Sequence, residues 1–199
     1  KLSWFHYFKI MFIQTEETPN PATLKFLPGK TLLAKGTLEF KSPEEATKNS
    51  LASKLFTDAN VKGVFIGKDF LTVTKSESVE WEILKPTLLS SILEYFSSGG
   101  EIENFELKTN VKVNKIKYSK KDQEIVNKIN ELLEERIKPA VAQDGGDINF
   151  VKLQKGIVFL ELRGACSGCP SSTITLKSGI ENMLKYYIPE IQSVEAINQ

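Results

Sequence analysis

The sequence lacks the side chains on which most acid–base enzymes and phosphate-binding proteins depend. Its 199 residues include one histidine, His6, and two arginines, Arg136 and Arg163. A single histidine near the N-terminus excludes most histidine-based catalysis, Ser-His-Asp triads and histidine-rich zinc sites. With two arginines, the chain has few guanidinium forks for bidentate recognition of phosphates or bases.

The sequence also lacks an excess of charge and a long apolar run. Its 26 Lys and Arg residues are balanced by 25 Asp and Glu residues, for a net charge of +1. This balance argues against a nucleic-acid-binding protein held by a large positive surplus. No apolar run reaches the roughly 20 residues that span a bilayer. We therefore expect a soluble protein, with neither nucleic acid nor a membrane as its partner.

Cysteine is scarce, at two residues. Two cysteines cannot cross-link a small secreted scaffold, so their number indicates a reducing compartment. We expect the bacterial cytoplasm, with the mitochondrial matrix as the alternative.

Composition divides the chain into four segments. Residues 1–10 are rich in aromatic side chains and match neither a signal peptide nor an arginine-rich presequence. They are expected to be a disordered or non-native extension ahead of the first internal methionine. Residues 98–121 are polar and lysine-rich, which indicates a linker with at most a short strand near Phe105. We expect this linker to leave two domains, 11–97 and 122–199, nearly independent, with few contacts between them.

In the first domain, hydrophobic alternation predicts strands and helical spacing predicts two helices. Ser42 and Glu45 form a capping box that predicts the start of one helix, and the other is expected to begin near Pro86. The predicted strands are 24–27, 36–40, 61–66 and 70–74, of which the last two form a hairpin.

The second domain has the pattern helix, two strands, helix, strand. Its first helix is expected to begin after Ser119 or Asp122 and to be ended by Pro139 and then Gly145-Gly146, and its second to begin at Pro170. Together the patterns predict an α+β fold of two small domains, each with a small antiparallel or mixed sheet and helices on one face, joined by a polar linker. The predicted strands of this domain are 148–153, 157–162 and 191–197.

Both cysteines lie in the tetrapeptide Cys166-Ser167-Gly168-Cys169, between a predicted strand and a predicted helix. Structural cysteines have no reason for this spacing, so the pair is interpreted as functional. The N-terminus of the helix is expected to favour an anion at Cys169 and to lower the pKa of its thiol. Arg163 is close enough in sequence to offset negative charge at the pair.

Three chemistries use such a pair. A dithiol–disulfide oxidoreductase usually places its CxxC near a βαβ unit, and the pattern here predicts none. A tetrahedral zinc site needs four ligands, and an iron–sulfur cluster usually needs four thiolates. One chain supplies two, so the shortest route to four ligands is a second copy of the same loop across a twofold axis. The pattern predicts a metal-bridged homodimer if metal is bound.

Two segments around the cysteines, and one near the start of the chain, resemble a known family. Gly-Ala-Cys-Ser-Gly-Cys-Pro at 164–170, together with 138–147, resembles the C-terminal domain of NifU-like (Nfu-type) iron–sulfur scaffold proteins. Residues 14–26 are similar to the start of the N-terminal domain of that family. The likeness covers 11–97 and 122–199, which is nearly the whole chain.

The resemblance implies a function, a cofactor and partners. It implies that Cys166 and Cys169 of two subunits hold a [4Fe-4S] cluster, and that the homodimer delivers it to recipient iron–sulfur apoproteins. It also implies upstream cluster assembly proteins as partners, and a scaffold or carrier rather than an enzyme. The first domain, which has no cysteine, is expected to contact clients or to modulate transfer. A dithiol–disulfide oxidoreductase that uses the same two cysteines is the alternative, and a zinc-bridged structural dimer is a third hypothesis.

Overall fold

The computed structural model describes residues 12–102, 116–168 and 170–197, with the backbone alone at 170–172. The predicted N-terminal extension and the predicted short strand near Phe105 lie outside these residues. The described residues form two α+β units, as the sequence predicts. Within them, no helix combines the length and the apolar character needed to cross a membrane.

Five antiparallel strands form the sheet of the first domain. The hairpin predicted for strands 61–66 and 70–74 is confirmed. The strands predicted at 24–27 and 36–40 are confirmed to within two residues. The strands are β1 (Gln14–Glu17), β2 (Thr23–Leu27), β3 (Leu38–Phe40), β4 (Val61–Ile66) and β5 (Leu71–Lys75), which lie in the order β1-β2-β5-β4-β3.

Helix α1 (Ser50–Leu55) begins later than the capping box predicts. Ser42 accepts a backbone hydrogen bond from Glu45, but the residues that follow form only a short 3-10 turn. The side chain of Asn49 accepts a 2.8 Å hydrogen bond from the backbone N–H of Ala52. The α-helix begins there because the buried amide of Asn49 satisfies an N–H that has no partner within the first helical turn.

Helix α2 (Trp81–Ser97) begins before Pro86, so the predicted start is wrong. The indole N–H of Trp81 donates a 2.9 Å hydrogen bond to the carbonyl of Pro21, and Leu84 is buried. These tertiary contacts hold the first turn, and Pro86 lies inside the helix, where its missing N–H removes one hydrogen bond. Helices α1 and α2 cover one face of the sheet, and their apolar side chains complete the core of the domain.

The sheet of the second domain is mixed and has three strands, β6 (Gly146–Gln154), β7 (Ile157–Gly164) and β8 (Ser193–Ile197). Strands β6 and β7 form the predicted antiparallel hairpin, and β8 pairs in parallel with β7. The hairpin turns at Lys155 and Gly156, both with positive φ.

The first helical segment of the second domain continues past Pro139 and ends just ahead of Gly145, so the end predicted at the glycine pair is confirmed and the one predicted at Pro139 is wrong. Helix α3 (Lys120–Leu132) begins after Ser119, as predicted, and runs into a π-helical turn at Leu133–Ile137 and then into α4 (Lys138–Gln143). Pro139 lies in the first turn of α4. The proline follows directly on the π-helical turn, where the hydrogen-bond register of the helix changes, and its missing N–H removes one hydrogen bond at this junction.

Helix α5 (Pro170–Tyr187) connects β7 to the parallel strand β8, and the domain therefore contains a βαβ unit. The sequence pattern predicts none, and that prediction is wrong. Val194 of β8 donates its backbone N–H to Glu181 of α5 at 3.0 Å, which fixes β8 beside β7. The cysteine loop, of which the structure describes residues 164–168, lies at the carboxyl end of β7, where this unit enters its helix.

The two domains are in contact, and the expectation of few contacts between them is wrong. Strand β4 packs against β7. Polar side chains of the first domain also hydrogen-bond to the end of α4, to β6, to β7 and to the cysteine loop. The first-domain residues that make these bonds are Asn20, Lys25, Thr37 and Glu39.

Candidate functional site

The cysteine loop leaves β7 at Gly164, whose φ of 63° is in the left-handed region that favours glycine. The backbone N–H and the hydroxyl of Ser167 both donate to the Gly164 carbonyl, at 3.1 and 2.8 Å. The Thr173 hydroxyl, in the first turn of α5, donates to the Cys166 carbonyl at 3.3 Å. These bonds fix Cys166 between β7 and α5, as the sequence predicts. Cys169, the other predicted ligand, lies outside the described residues.

Gly146, the first residue of β6, lies directly against Cys166. A Cβ atom at position 146 would be 2.6 Å from the Cys166 Sγ and 2.6 Å from the carbonyl oxygen of Arg163. Both distances are far inside van der Waals contact, so a side chain does not fit beside the sulfur. The preceding Gly145 has a φ of 82°, and its carbonyl accepts a 3.2 Å hydrogen bond from the N–H of Ala165. This glycine pair therefore shapes the position of the thiol.

Burial, together with the negative charges of Asp144 and Asp147, raises the pKa of the Cys166 thiol from an ordinary 9.0 to about 12. Cys166 is 5% exposed. At neutral pH this thiol keeps its proton, and because the thiolate is the metal ligand, a metal ion that binds here displaces the proton. The sequence-based expectation of a lowered pKa concerned Cys169, at the start of α5.

We expect the reaction of Cys166 with iodoacetamide in the metal-free chain to accelerate with pH from about pH 9 to about pH 11, because its raised pKa keeps the reactive thiolate scarce. Alkylation rates at each pH are measured by mass spectrometry of the Cys166 peptide. The control is the chain unfolded in denaturant, whose thiol has an ordinary pKa and whose rate is half-maximal near pH 9 and levels off near pH 10. A rate that levels off at the same pH in the folded chain would contradict the raised pKa.

An apolar pocket of about 610 Å³ opens beside Cys166. Helices α4 and α5 supply most of its wall, and Pro19 of the first domain also lines it. Arg136 lies on the wall too, with its guanidinium 5.0 Å from the centre of the Tyr187 ring. Apolar walls next to the sulfur limit its hydration, which is part of the burial that raises the pKa of Cys166.

The first domain contacts the cysteine loop through Glu39 and Asn20. The Glu39 carboxylate accepts hydrogen bonds from Arg163 Nε at 3.2 Å and from the Gly164 backbone N–H at 2.9 Å. The side-chain amide of Asn20 donates to the Ser167 carbonyl at 3.3 Å. Arg163, which the sequence suggests as a positive charge for the cysteine pair, is therefore paired with an acid of the other domain.

The sequence does not single out Glu39 or Asn20 as part of the site. Glu39 lies between two buried apolar residues of β3, and this alternation places it on the face of the sheet away from the helices. Alternation predicts the face of the sheet on which Glu39 lies, but it does not predict which residue of the other domain contacts it. The sequence therefore carries no signal for the pairing with Arg163.

Two family models match the two halves of the chain. Residues 13–99 match the model described as scaffold protein Nfu/NifU N terminal, and residues 129–195 match the NifU-like domain. A solution structure of a NifU-like protein from Saccharomyces cerevisiae is 26% identical, with a TM-score of 0.46, over 53% of this chain and 95% of that one.

Full-length relatives extend the likeness to both domains. The human protein named NFU1 iron-sulfur cluster scaffold homolog, mitochondrial, is 45% identical over 98% of this chain and 75% of its own length. Proteins of the same name from Drosophila sechellia and Drosophila persimilis are 46% and 47% identical over 94% of this chain, which spans 65% of their length. The chain belongs to the Nfu/NifU family of iron–sulfur cluster scaffold proteins.

Proposed function

We propose that this chain binds a [4Fe-4S] cluster as cargo, held by Cys166 and Cys169 of two copies, and transfers it to recipient iron–sulfur apoproteins. The observation that carries the proposal is the position of Cys166, which lies against Gly146 at the carboxyl end of β7, in the loop that contains both cysteines of the chain. The scaffold role of the family supports a cluster as the cargo.

The ligand count supports a homodimer. An iron–sulfur cluster of this type usually takes four thiolates, and the sequence has two cysteines. A second copy of the loop completes the set without other ligand types. The zinc-bridged dimer has the same ligand count, but the family role favours iron and sulfide.

A shared site suits a cargo that must leave again. Neither chain holds all four ligands, so an incoming thiolate of a recipient can replace those of one subunit at a time. The incoming thiol loses its proton when it binds iron, and Cys166 takes up a proton when it leaves, so the exchange is balanced in protons and needs no oxidant or reductant.

A dithiol–disulfide oxidoreductase is the second candidate, and one observation favours it. The cysteine loop lies between β7 and α5 of a βαβ unit, which is a common setting for a redox CxxC. The raised pKa of Cys166 counts against this candidate, because the attacking group in disulfide exchange is a thiolate. We therefore propose a carrier without catalytic activity of its own.

The family supports a proposal for the compartment and for the role of each domain. The names of the relatives place those proteins in mitochondria, which favours the mitochondrial matrix for this chain over the bacterial cytoplasm. We propose that residues 122–199 carry the cluster, that 98–121 connect the domains, and that 11–97 serve contacts with recipients and with upstream assembly proteins.

Reconstitution under anaerobic conditions with iron and sulfide tests the proposal. We expect about two iron atoms per chain, because one four-iron cluster is shared by two chains. Iron and sulfide are counted chemically, Mössbauer spectroscopy identifies the cluster type, and light scattering gives the mass of the loaded species. A loaded monomer that carries a complete cluster would overturn the shared site. Rapid reduction of insulin disulfides by the metal-free chain, without cluster transfer, would favour the oxidoreductase.

A further inference from the structure

The sheet of the first domain has a second face, which α1 and α2 do not cover. Directly opposed residues of neighbouring antiparallel strands point to the same face. Lys25 is opposed to Glu16 and Thr72, and Phe65 is opposed to Thr72 and Glu39, so one row of side chains crosses all five strands. We call Glu16, Lys25, Thr72, Phe65 and Glu39 the docking row.

Lys25, near one end of the docking row, and Glu39, at the other end, make polar contacts with the second domain. At one end, Lys25 Nζ donates to the carbonyl of Gln143 at 3.0 Å and lies 3.2 Å from the carboxylate of Glu16. At the other end, the carboxylate of Glu39 accepts from Arg163 Nε at 3.2 Å. The side chains of this second ion pair are 11% and 12% exposed, so water screens the pair little.

The middle of the docking row meets the backbone of two glycines. A Cβ atom at Gly145 would be 2.8 Å from the Thr72 Cγ2, and one at Gly164 would be 2.9 Å from the Phe65 Cγ. Gly145 precedes β6, and Gly164 begins the cysteine loop. Because both glycines lack a side chain, the sheet can approach the backbone that positions Cys166.

These contacts bury side chains that a free sheet face would expose. Phe65, Thr72 and Lys25 are 2%, 1% and 6% exposed. Phe65 does not belong to the apolar cluster between the sheet and its helices, so it is buried by another surface. Lysine is almost never buried without a partner, and here the partners are a carbonyl and a carboxylate. The row is therefore complementary to the second domain in both shape and charge.

We infer that the docking row is a binding surface for the cysteine loop, and that the docked form shields Cys166 from a second copy of the chain. Arg163, Gly164 and Ser167 flank Cys166 in sequence, and the first domain holds all three. A second copy that shares a cluster must bring its own loop against these same residues. The first domain and the second copy therefore compete for one surface, a consequence that rests on the proposed function.

Competition of this kind couples cluster loading to undocking. A shared cluster binds the undocked form alone, so its apparent affinity is reduced by the fraction of chains that are undocked. The first domain thereby covers the metal-free loop and sets how readily the loop accepts cargo.

The test reverses the charge at Glu39 in the full-length, metal-free chain. Glu39→Lys sets a cation against Arg163, and breaking a buried, hydrogen-bonded charge pair at an interface shifts the docking equilibrium by about tenfold or more. We expect iodoacetamide to alkylate Cys166 faster, by up to about tenfold, because undocking removes Pro19 from the wall beside the thiol. We also expect a larger radius of gyration in small-angle X-ray scattering, which separates undocking from a change in the charge around the thiol. Glu44→Lys, at an exposed position of the same domain, is the matched control and should change neither.

Two further variants complete the test. Arg163→Glu in the Glu39→Lys chain restores a pair of opposite charges and should restore slow alkylation. Lys25→Met removes the contact at the other end of the row, and it replaces Glu39→Lys if that chain does not fold. An unchanged radius and an unchanged alkylation rate in a folded variant would overturn the inference.

Reconstitution of the Glu39→Lys chain with iron and sulfide separates the inference from the proposed function. Faster loading at an unchanged final iron content supports both. Undocking of the variant, with no cluster in either chain, supports the docking surface and overturns the proposed function. Undocking with an unchanged loading rate overturns the competition between the first domain and the second copy.

Discussion

Serine in place of Cys166 is expected to lower the iron content of the reconstituted chain from about two atoms to background. Serine keeps nearly the size of the side chain but removes the thiolate, so two copies of the loop then offer half of the usual ligand set. The fold should persist, because the turn is held by backbone and hydroxyl hydrogen bonds and not by the sulfur. Iron is measured by mass spectrometry of the purified chain, and folding by circular dichroism.

Ser167→Ala is the matched control for this substitution. Ser167 lies between the two cysteines, and its hydroxyl donates to the Gly164 carbonyl, so alanine removes one hydrogen bond and neither thiol. This control should keep most of its iron, whereas Cys169→Ser should lose it as Cys166→Ser does. Full iron content in a folded Cys166→Ser chain would remove Cys166 from the ligand set.

Alanine in place of Gly146 should both destabilise the second domain and reduce cluster binding. The new methyl group would stand 2.6 Å from the Cys166 Sγ and from the carbonyl oxygen of Arg163, which is backbone and cannot turn aside. Overpacking of this kind costs about 1–3 kcal/mol of the free energy of unfolding. Urea unfolding of the metal-free chain measures the loss, and iron content after reconstitution measures the displacement of the thiol.

Gly179→Ala provides the comparison for Gly146→Ala. Gly179 lies within α5, and a Cβ atom there meets nothing within 4 Å. Because glycine weakens a helix interior, this variant should gain about 0.5–1 kcal/mol of stability. Equal stability and equal iron content for Gly146→Ala and the unmodified chain would show that the close contact at Cys166 does not constrain the site.

The hairpins could be predicted from the sequence because their signals are local. In β4–β5 and β6–β7, runs rich in apolar and β-branched residues mark the strands, and a short turn segment lies between them. Gly156, with a φ of 75°, supplies the conformation that the second turn requires. The hydrophobic pattern of the strands and the residue types of the turns both act within a few residues. These hairpins can therefore be predicted without knowledge of tertiary contacts.

The two prolines show where local rules fail. The sequence predicts a helix start near Pro86 and places Pro139, ahead of the glycine pair, at the end of another helix, but both prolines lie inside helical segments. In the first case the buried side of α2 begins earlier, at contacts made by Trp81 and Leu84. In the second, a π-helical turn ends just ahead of Pro139, and the helix continues from it through the proline. Packing and a change of helical winding outweighed the backbone preference of proline.

The candidate site could be predicted in part. The position of Cys166 between a strand and a helix follows from spacing, but its raised pKa depends on burial by residues far away in the chain. The contact of Glu39 with Arg163 joins residues 124 positions apart. No periodicity connects such a pair, and balanced overall charge gives no hint of it. The role of the first domain at the loop therefore emerges from the three-dimensional structure alone.

The parallel pairing of β8 with β7 has a consequence for synthesis on the ribosome. The chain is made from its N-terminus, and domains generally fold in that order. The docking row is complete once β5 has been made, before any part of the cysteine loop leaves the exit tunnel. The loop then emerges ahead of α5 and β8, so its thiols appear while the sheet that positions them still lacks its last strand. A first domain that has folded by then presents the docking row to the loop as the loop emerges.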